Sequence, residues 1–198
     1  MAQSSDELVK REIIDFIGTE INGFTLRAFP ESSRDDQKLF DDGGLTFSFY
    51  GIDYGSCDLA FIDENFKAFI AIEGTDALNR GSSGNAQYQR FHHALGAVKN
   101  GLIGIYYLRP GTLEIRPDLY AMAYHATIKE NGHYVITQDL NEIKNILLFG
   151  KDPKELENYL HNLINKNYAI FKKYFIKTYD NDLLEFAKKR STIIFDND

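Results

Sequence analysis

Two acidic residues in an apolar part of the chain have the clearest potential for chemistry. Asp58 lies early in the apolar stretch 57–62, and Glu73 lies at the end of the stretch 68–73, beyond a short turn. A carboxylate in an apolar strand needs a partner, because a buried lone charge is costly. Oxygen ligands suit Mg²⁺, which proteins usually hold with one or two carboxylates, water and phosphate. The pair therefore predicts a metal site of the kind that serves phosphodiester chemistry.

The pattern around these acids predicts the strands and the helix that hold them. Residues 45–51 alternate apolar and small polar side chains, which indicates a strand, and residues 56–74 form an apolar hairpin. Together they predict an antiparallel meander of three strands with Glu73 at its far end. A helix over 86–99 and an apolar strand over 102–108 then have the length of a β-α-β crossover, so this strand is expected to run parallel to the second hairpin strand.

Helical signals flank this region on both sides. A hydroxyl cap and acids near Ser5 start a first helix, and Glu20 falls on its apolar stripe. Beyond the crossover, an Asn-Gly turn between apolar segments predicts a second hairpin, followed by helices. The predicted segments are hairpin strands over 121–129 and 133–137, and helices over 139–148, 152–177 and 181–190. The expected fold is α/β, with a mixed central sheet flanked by helices and a helical C-terminal part.

Composition limits the classes of protein that this chain can represent. Its 198 residues, 43% of them hydrophobic, suffice for one globular domain with a proper core. No apolar run has the length of a membrane span, and the start has no signal-peptide pattern. One cysteine, Cys57, forms no internal disulfide and fits a reducing cytoplasm. The net charge of −7 argues against a protein that coats nucleic acid non-specifically.

The order helix, three strands, helix and strand, with acids at these places, resembles the common core of the PD-(D/E)XK nuclease superfamily. The best-populated group of that superfamily is the type II restriction endonucleases. The resemblance covers about residues 5–108, and residues 109–198 would be an extension made of the second hairpin and the helices. It implies a single nuclease-like domain over 1–198 with a restriction endonuclease-like sheet.

The resemblance also implies roles for individual residues. Asp58 stands at the aspartate that bridges the metal, and Glu73 stands at the second metal ligand, with the carbonyl of Gly74 as a backbone ligand. Glu20 matches a glutamate that some members carry on the first helix. Thr75 occupies the position of the family's lysine, but a neutral threonine cannot offset charge at the scissile phosphate.

Another residue is therefore expected to do the work of the lysine. Lys67, Lys99 and Arg80 are nearby cations, but Arg90 or Gln87 is better placed, since both lie on one face of the predicted helix 86–99. His92 and His93 are adjacent, so on a helix their side chains point about 100° apart and cannot chelate one metal together. Phosphate and base contacts are predicted from Arg80, Ser82 and Ser83 in the segment before the helix, and from Gln87 and Arg90 on the helix.

The resulting hypothesis is a Mg²⁺-dependent endodeoxyribonuclease that cuts double-stranded DNA, in the manner of a type II restriction enzyme. Enzymes of this type usually act as homodimers on palindromes, which implies a symmetric dimer. Base readout is expected from loops 30–44 and 77–85 or from the region beyond residue 108. Two alternatives stay open: a repair, phage or defence nuclease of the same superfamily, and a nucleic-acid-binding module that kept the fold without the chemistry.

Overall fold

A mixed six-stranded sheet, covered by helices on both faces, forms the centre of the molecule. The computed structural model describes residues 5–28, 46–49, 52–75, 83–111 and 114–178. The helices are α1 (Ser5–Ile17), α2 (Ser83–Lys99), α3 (Pro117–Lys129), α4 (Leu140–Phe149) and α5 (Pro153–Thr178). The predicted α/β fold class is therefore confirmed. Within the described residues, none of these helices combines the length and apolarity needed to cross a membrane.

The sheet joins an antiparallel half to a parallel half. Its strands in chain order are β1 (Glu20–Ile21), β2 (Phe24–Ala28), β5 (Leu59–Ile62), β6 (Ala68–Thr75), β7 (Ile103–Leu108) and β8 (His133–Thr137), and they lie side by side in the same order. The pairs from β1 to β6 are antiparallel, whereas β6, β7 and β8 run parallel. The predicted hairpin β5–β6 and the crossover through α2 to β7 are both confirmed.

Side-chain alternation along the central strands feeds two cores on opposite faces of the sheet. On one face, Ile72 and Tyr107 pack with residues of α1, α4 and α5, including Ile13. On the other face, Tyr106 packs with residues of α2 and α3, including Phe91. Residues adjacent in sequence therefore belong to different layers, and Glu73, next to Ile72, faces α2.

The predicted meander is wrong in its first strand. Strand β3 (Thr46–Phe49) pairs with β4 (Ile52–Ser56) in a separate two-stranded sheet, and β2 takes the place beside β5. Alternating apolar residues fit any half-buried pleated surface, so the pattern does not name the partner of a strand. Phe47 of β3 still reaches the core by packing near Cys57.

The predicted second hairpin is also wrong, because residues 121–129 belong to helix α3. Pro117 stands in the first turn, and Leu119, Ala123 and Ala126 are buried at helical spacing. The Asn-Gly turn signal is present, but it connects a helix to β8. The predicted helices near α4 and α5 are confirmed, whereas the predicted helix 181–190 lies outside the described residues.

Helix α2 approaches β7 closely because a glycine faces it. A Cβ atom added to Gly104 would lie 2.3 Å from the Ala94 carbonyl oxygen, which belongs to the backbone and cannot turn away. We expect Gly104→Ala to lower the free energy of unfolding by about 3 kcal/mol, since overpacking a closed interface forces the backbone apart. Urea unfolding measures this loss.

Gly101→Asn is the matched control for Gly104→Ala. Gly101 has a φ of 81° and no atom within 4 Å of an added Cβ, and asparagine tolerates that backbone region. This variant should lose far less stability. Equal losses in the two variants would contradict close packing at Gly104 as the cause.

Candidate functional site

The strand register brings the two predicted acids side by side. Leu59 pairs with Ile72 across β5 and β6, so Asp58, just before β5, lies next to Glu73. The Gly74 N–H donates to Oδ2 of Asp58 over 3.0 Å and fixes this carboxylate at the edge of the hairpin. A backbone donor of this kind stabilises the ionised form of a carboxylate.

One arginine of α2 joins the two carboxylates. Nη1 of Arg90 lies 2.7 Å from Oε1 of Glu73 and 3.9 Å from Oδ2 of Asp58. Both acids are therefore on the face of the sheet that α2 covers, within reach of a single cation. A guanidinium suits this place because it stays charged and donates several hydrogen bonds in a fixed geometry.

A histidine one turn further along α2 contacts the other oxygen of Glu73. Nδ1 of His93 lies 3.2 Å from Oε2 of Glu73, although neither atom makes a hydrogen bond of good geometry with any described residue. The attraction of the Glu73 carboxylate for the imidazole proton raises the pKa of His93, against the opposing effect of burial. Arg90 and His93, three residues apart on one helix face, thus both contact the same carboxylate.

The acidic side chains of the site are almost completely buried. Glu73 is completely buried and Asp58 is 9% exposed. Tyr106 pairs with Glu73 in the register of β6 and β7, and its buried hydroxyl has no hydrogen-bond partner among the described residues. Burial, and then the charge of Glu73, raise the pKa of Tyr106 and likewise that of Cys57. Charges at such a place interact strongly because little water screens them.

On its open side the site borders a cleft between α2 and the β3–β4 sheet. The cleft has a volume of about 900 Å³, and its lining consists of Ile52, Asp53, Tyr54, Gly55, Gln89, Arg90, His92 and His93. Gly55 lies against the ring of His93, since an added Cβ would be 3.1 Å from Nε2. The two residues that hold Glu73 therefore also face a cleft that a polar ligand can enter.

Asp58 and Glu73 are the side chains of the site that could hold a hard divalent cation such as Mg²⁺. Asp58 and Glu73 offer hard oxygen atoms, and the buried Oε2 of Glu73 makes no hydrogen bond to a described residue. Within the described part of the chain no three His, Cys, Asp or Glu side chains are arranged to hold a metal ion of any kind. Mg²⁺ can be held by only one or two carboxylates together with water.

Glu20 is not where the first helix would have carried it. Helix α1 ends at Ile17, because Gly18 adopts a φ of 90° and its N–H closes the last turn on Ile14. Glu20 is exposed in the edge strand β1, opposite Thr25. Since Thr25 pairs in turn with Ile62, this row lies toward the turn of the β5–β6 hairpin, away from Asp58 and Glu73. The prediction that Glu20 lies on α1 is wrong, and the structure does not bring it to the other acids.

Gln87 is a buried linker in this structure. Its Nε2 donates to the Glu114 carbonyl over 3.2 Å, and its side-chain oxygen accepts from the Arg116 N–H over 3.0 Å. These bonds tie α2 to the segment before α3, so Gln87 is not presented to a ligand in the cleft. Of the two residues expected to replace the lysine, only Arg90 lies at the carboxylates.

The remaining predicted residues are partly outside the described structure. Thr75 is buried at the end of β6 and pairs with Leu108, and the Gly74 carbonyl belongs to the same strand. Ser83 begins α2, but its side chain lies outside the described residues, as do Arg80 and Ser82. Loop 30–44 and residues 77–82 of the second loop, which were expected to read bases, lie outside them as well.

The contact between His93 and Glu73 was not predicted from the sequence, in which His93 stood out only as one of two adjacent histidines. The usable signal was its spacing of three residues from Arg90, which places both side chains on the same face of α2. That face meets Glu73 only because the crossover lays α2 over the end of β6.

No family model, no curated protein and no solved structure matches this chain. The resemblance to PD-(D/E)XK nucleases, drawn from the order of strands and acids, therefore stays a prediction.

Proposed function

We propose that the protein is a Mg²⁺-dependent endodeoxyribonuclease of the PD-(D/E)XK type that cuts double-stranded DNA in the manner of a type II restriction enzyme. The observation that carries this proposal is that Asp58 and Glu73 converge on the guanidinium of Arg90, beside an open cleft. Two carboxylates on the adjacent strands of a hairpin are a ligand set that suits Mg²⁺. The crossover brings α2, and with it Arg90, to these carboxylates.

Each residue of the site has a part in this proposal. Asp58 and Glu73 would hold Mg²⁺, which when bound activates water and stabilises charge on a phosphoryl oxygen. Arg90 would offset the charge that develops on the phosphate, which is the task that Thr75 cannot perform. His93, through its contact with Oε2, would keep the Glu73 carboxylate oriented.

The cleft supports DNA as the substrate. Gln89, Arg90 and His92 line it together with Tyr54, so donors for phosphate oxygens stand beside an aromatic ring. The chain as a whole carries a net charge of −7, and such local donors are what a phosphate backbone requires on an acidic protein. The proposal includes a homodimer, since two-fold symmetry matches palindromic DNA, and a cytoplasmic location.

One observation favours a second candidate, a DNA-binding module without catalysis. Both oxygens of Glu73 face side chains of α2, Oε1 toward the charged Arg90 and Oε2 toward the imidazole of His93. A carboxylate neutralised in this way can serve as a structural ion pair and leave the fold with binding alone. The threonine at the lysine position fits this candidate too.

Incubation of the full chain with supercoiled plasmid DNA and Mg²⁺ tests the proposal. We expect nicked and linear plasmid with Mg²⁺ and none with excess EDTA, and a mock purification from cells without the gene should cut nothing. Fragments of defined length identify a type II restriction enzyme, whereas a smear identifies a less specific nuclease of the superfamily. Retarded migration of DNA without any cleavage would overturn the nuclease proposal in favour of the binding module.

A further inference from the structure

The position of Arg90 conflicts with direct entry of a divalent cation. Its Nη1 lies 2.7 Å from Oε1 of Glu73 and 3.9 Å from Oδ2 of Asp58. A Mg²⁺ ion held by these carboxylates would lie about 2.1 Å from its oxygen ligands. It would then share the Glu73 and Asp58 carboxylates with the guanidinium, which already contacts both of them. The two cations would repel each other strongly, because Glu73 is completely buried and water screens the site weakly.

The repulsion cannot be relieved by loss of a proton. An arginine side chain stays charged in proteins, so it can respond only by moving. The Arg90 side chain can move into the cleft, because it is 25% exposed and lines that cleft. Gln89 and His92 border the same cleft, which is where a phosphate of bound DNA would offer the guanidinium a new anion.

We propose that Arg90 is the resident counter-cation of Asp58 and Glu73 and that a divalent cation has to displace Arg90 in order to bind. Arg90 thereby limits the affinity of the site for the metal. This inference rests on the metal site of the proposed function and describes how that site is regulated. In the absence of DNA the guanidinium competes with the metal. A phosphate in the cleft takes up the released guanidinium, so the metal and DNA each favour the binding of the other.

The first test measures metal affinity without DNA. Metal-free Arg90→Gln and the unmodified protein are titrated with Mg²⁺ and with Mn²⁺ in a calorimeter. We expect the Arg90→Gln protein to bind both ions at least tenfold more tightly, because the competing cation is gone. Arg90→Lys keeps a cation with fewer contacts and should give an intermediate affinity.

Arg116→Gln is the matched control, since it removes the same charge from the chain. Arg116 is exposed and pairs with Asp118 at 3.6 Å, away from the carboxylates. Its metal affinity should stay within twofold of that of the unmodified protein. A similar gain in Arg116→Gln would show that overall charge, and not the position of Arg90, controls the affinity, and it would overturn the inference.

A second measurement uses the unmodified protein and so does not depend on the stability of a variant. In protein labelled with ¹⁵N-arginine, the Nε–H signal of Arg90 is identified by its absence in the Arg90→Lys spectrum. Saturating Mg²⁺ should shift this signal and leave that of Arg116 in place. An unmoved Arg90 signal in protein that has bound the metal would overturn the inference.

The outcomes separate this inference from the proposed function. If Arg90→Gln binds the metal no more tightly than the unmodified protein, and the unmodified protein cuts plasmid, the inference alone is overturned. If Arg90→Gln binds the metal more tightly but the unmodified protein cuts no DNA, the inference is supported and the nuclease proposal is overturned. If neither protein binds Mg²⁺ or Mn²⁺, the inference and the metal site are both wrong.

Discussion

Glu73→Gln and Asp58→Asn are each expected to lower the rate of Mg²⁺-dependent DNA cleavage by about a thousandfold, which corresponds to about 4 kcal/mol of lost transition-state stabilisation. An amide has nearly the size of the carboxylate but carries no charge to hold a divalent cation. In Asp58→Asn the amide oxygen can still accept from the Gly74 N–H, as the Asp58 carboxylate does over 3.0 Å. The fold should therefore survive while the chemistry is lost. Single-turnover cleavage of plasmid DNA measures both rates.

The control for these variants removes a negative charge elsewhere on the same hairpin. Glu64 is exposed in the turn between β5 and β6, so Glu64→Gln should cut DNA within twofold of the unmodified rate. Circular dichroism of all three variants checks the fold. A Glu73→Gln or Asp58→Asn protein that keeps more than a tenth of the rate would contradict the assignment of these acids as metal ligands.

Arg90→Met should lower the free energy of unfolding by about 3 kcal/mol, because it leaves a buried carboxylate without its main counter-charge. Glu73 is completely buried and accepts from Arg90 over 2.7 Å. The loss is placed at the lower end of the usual range because Arg90 is 25% exposed and His93 still faces the carboxylate. Urea unfolding with EDTA present measures the effect without bound metal.

The double variant Arg90→Met/Glu73→Gln tests the cause of that loss. With both charges gone, the completely buried residue 73 no longer carries an uncompensated charge, while Asp58 keeps its hydrogen bond from the Gly74 N–H, so most of the lost stability should return. Arg116→Met breaks a pair in which both side chains are about half exposed, and it should cost less than about 1 kcal/mol. If the double variant lost as much free energy of unfolding as the sum of the losses in Arg90→Met and Glu73→Gln, the charges of Arg90 and Glu73 would not be coupled.

The sequence by itself determined the part of the site that is built from local structure. The hairpin that carries Asp58 and Glu73 follows from two apolar runs and a short turn, and strand alternation places both acids on one face. The crossover follows from its length, because a parallel partner for β6 requires a connection such as α2. Arg90 was among the predicted residues since helical spacing already marked its face.

Only the tertiary structure decided which elements lie next to one another. The same alternation that predicted a strand at 45–51 could not say that β2 would take the place beside β5. Short apolar runs fit a strand or a helix equally well, which is why α3 was mistaken for a hairpin strand. Gly18 ended α1 before Glu20, and the packing of α2 on β6 brought His93 to Glu73. Hairpins and helix faces depend on residues close in sequence, whereas the partners of a strand or a charge depend on contacts between residues far apart, which a local pattern does not encode.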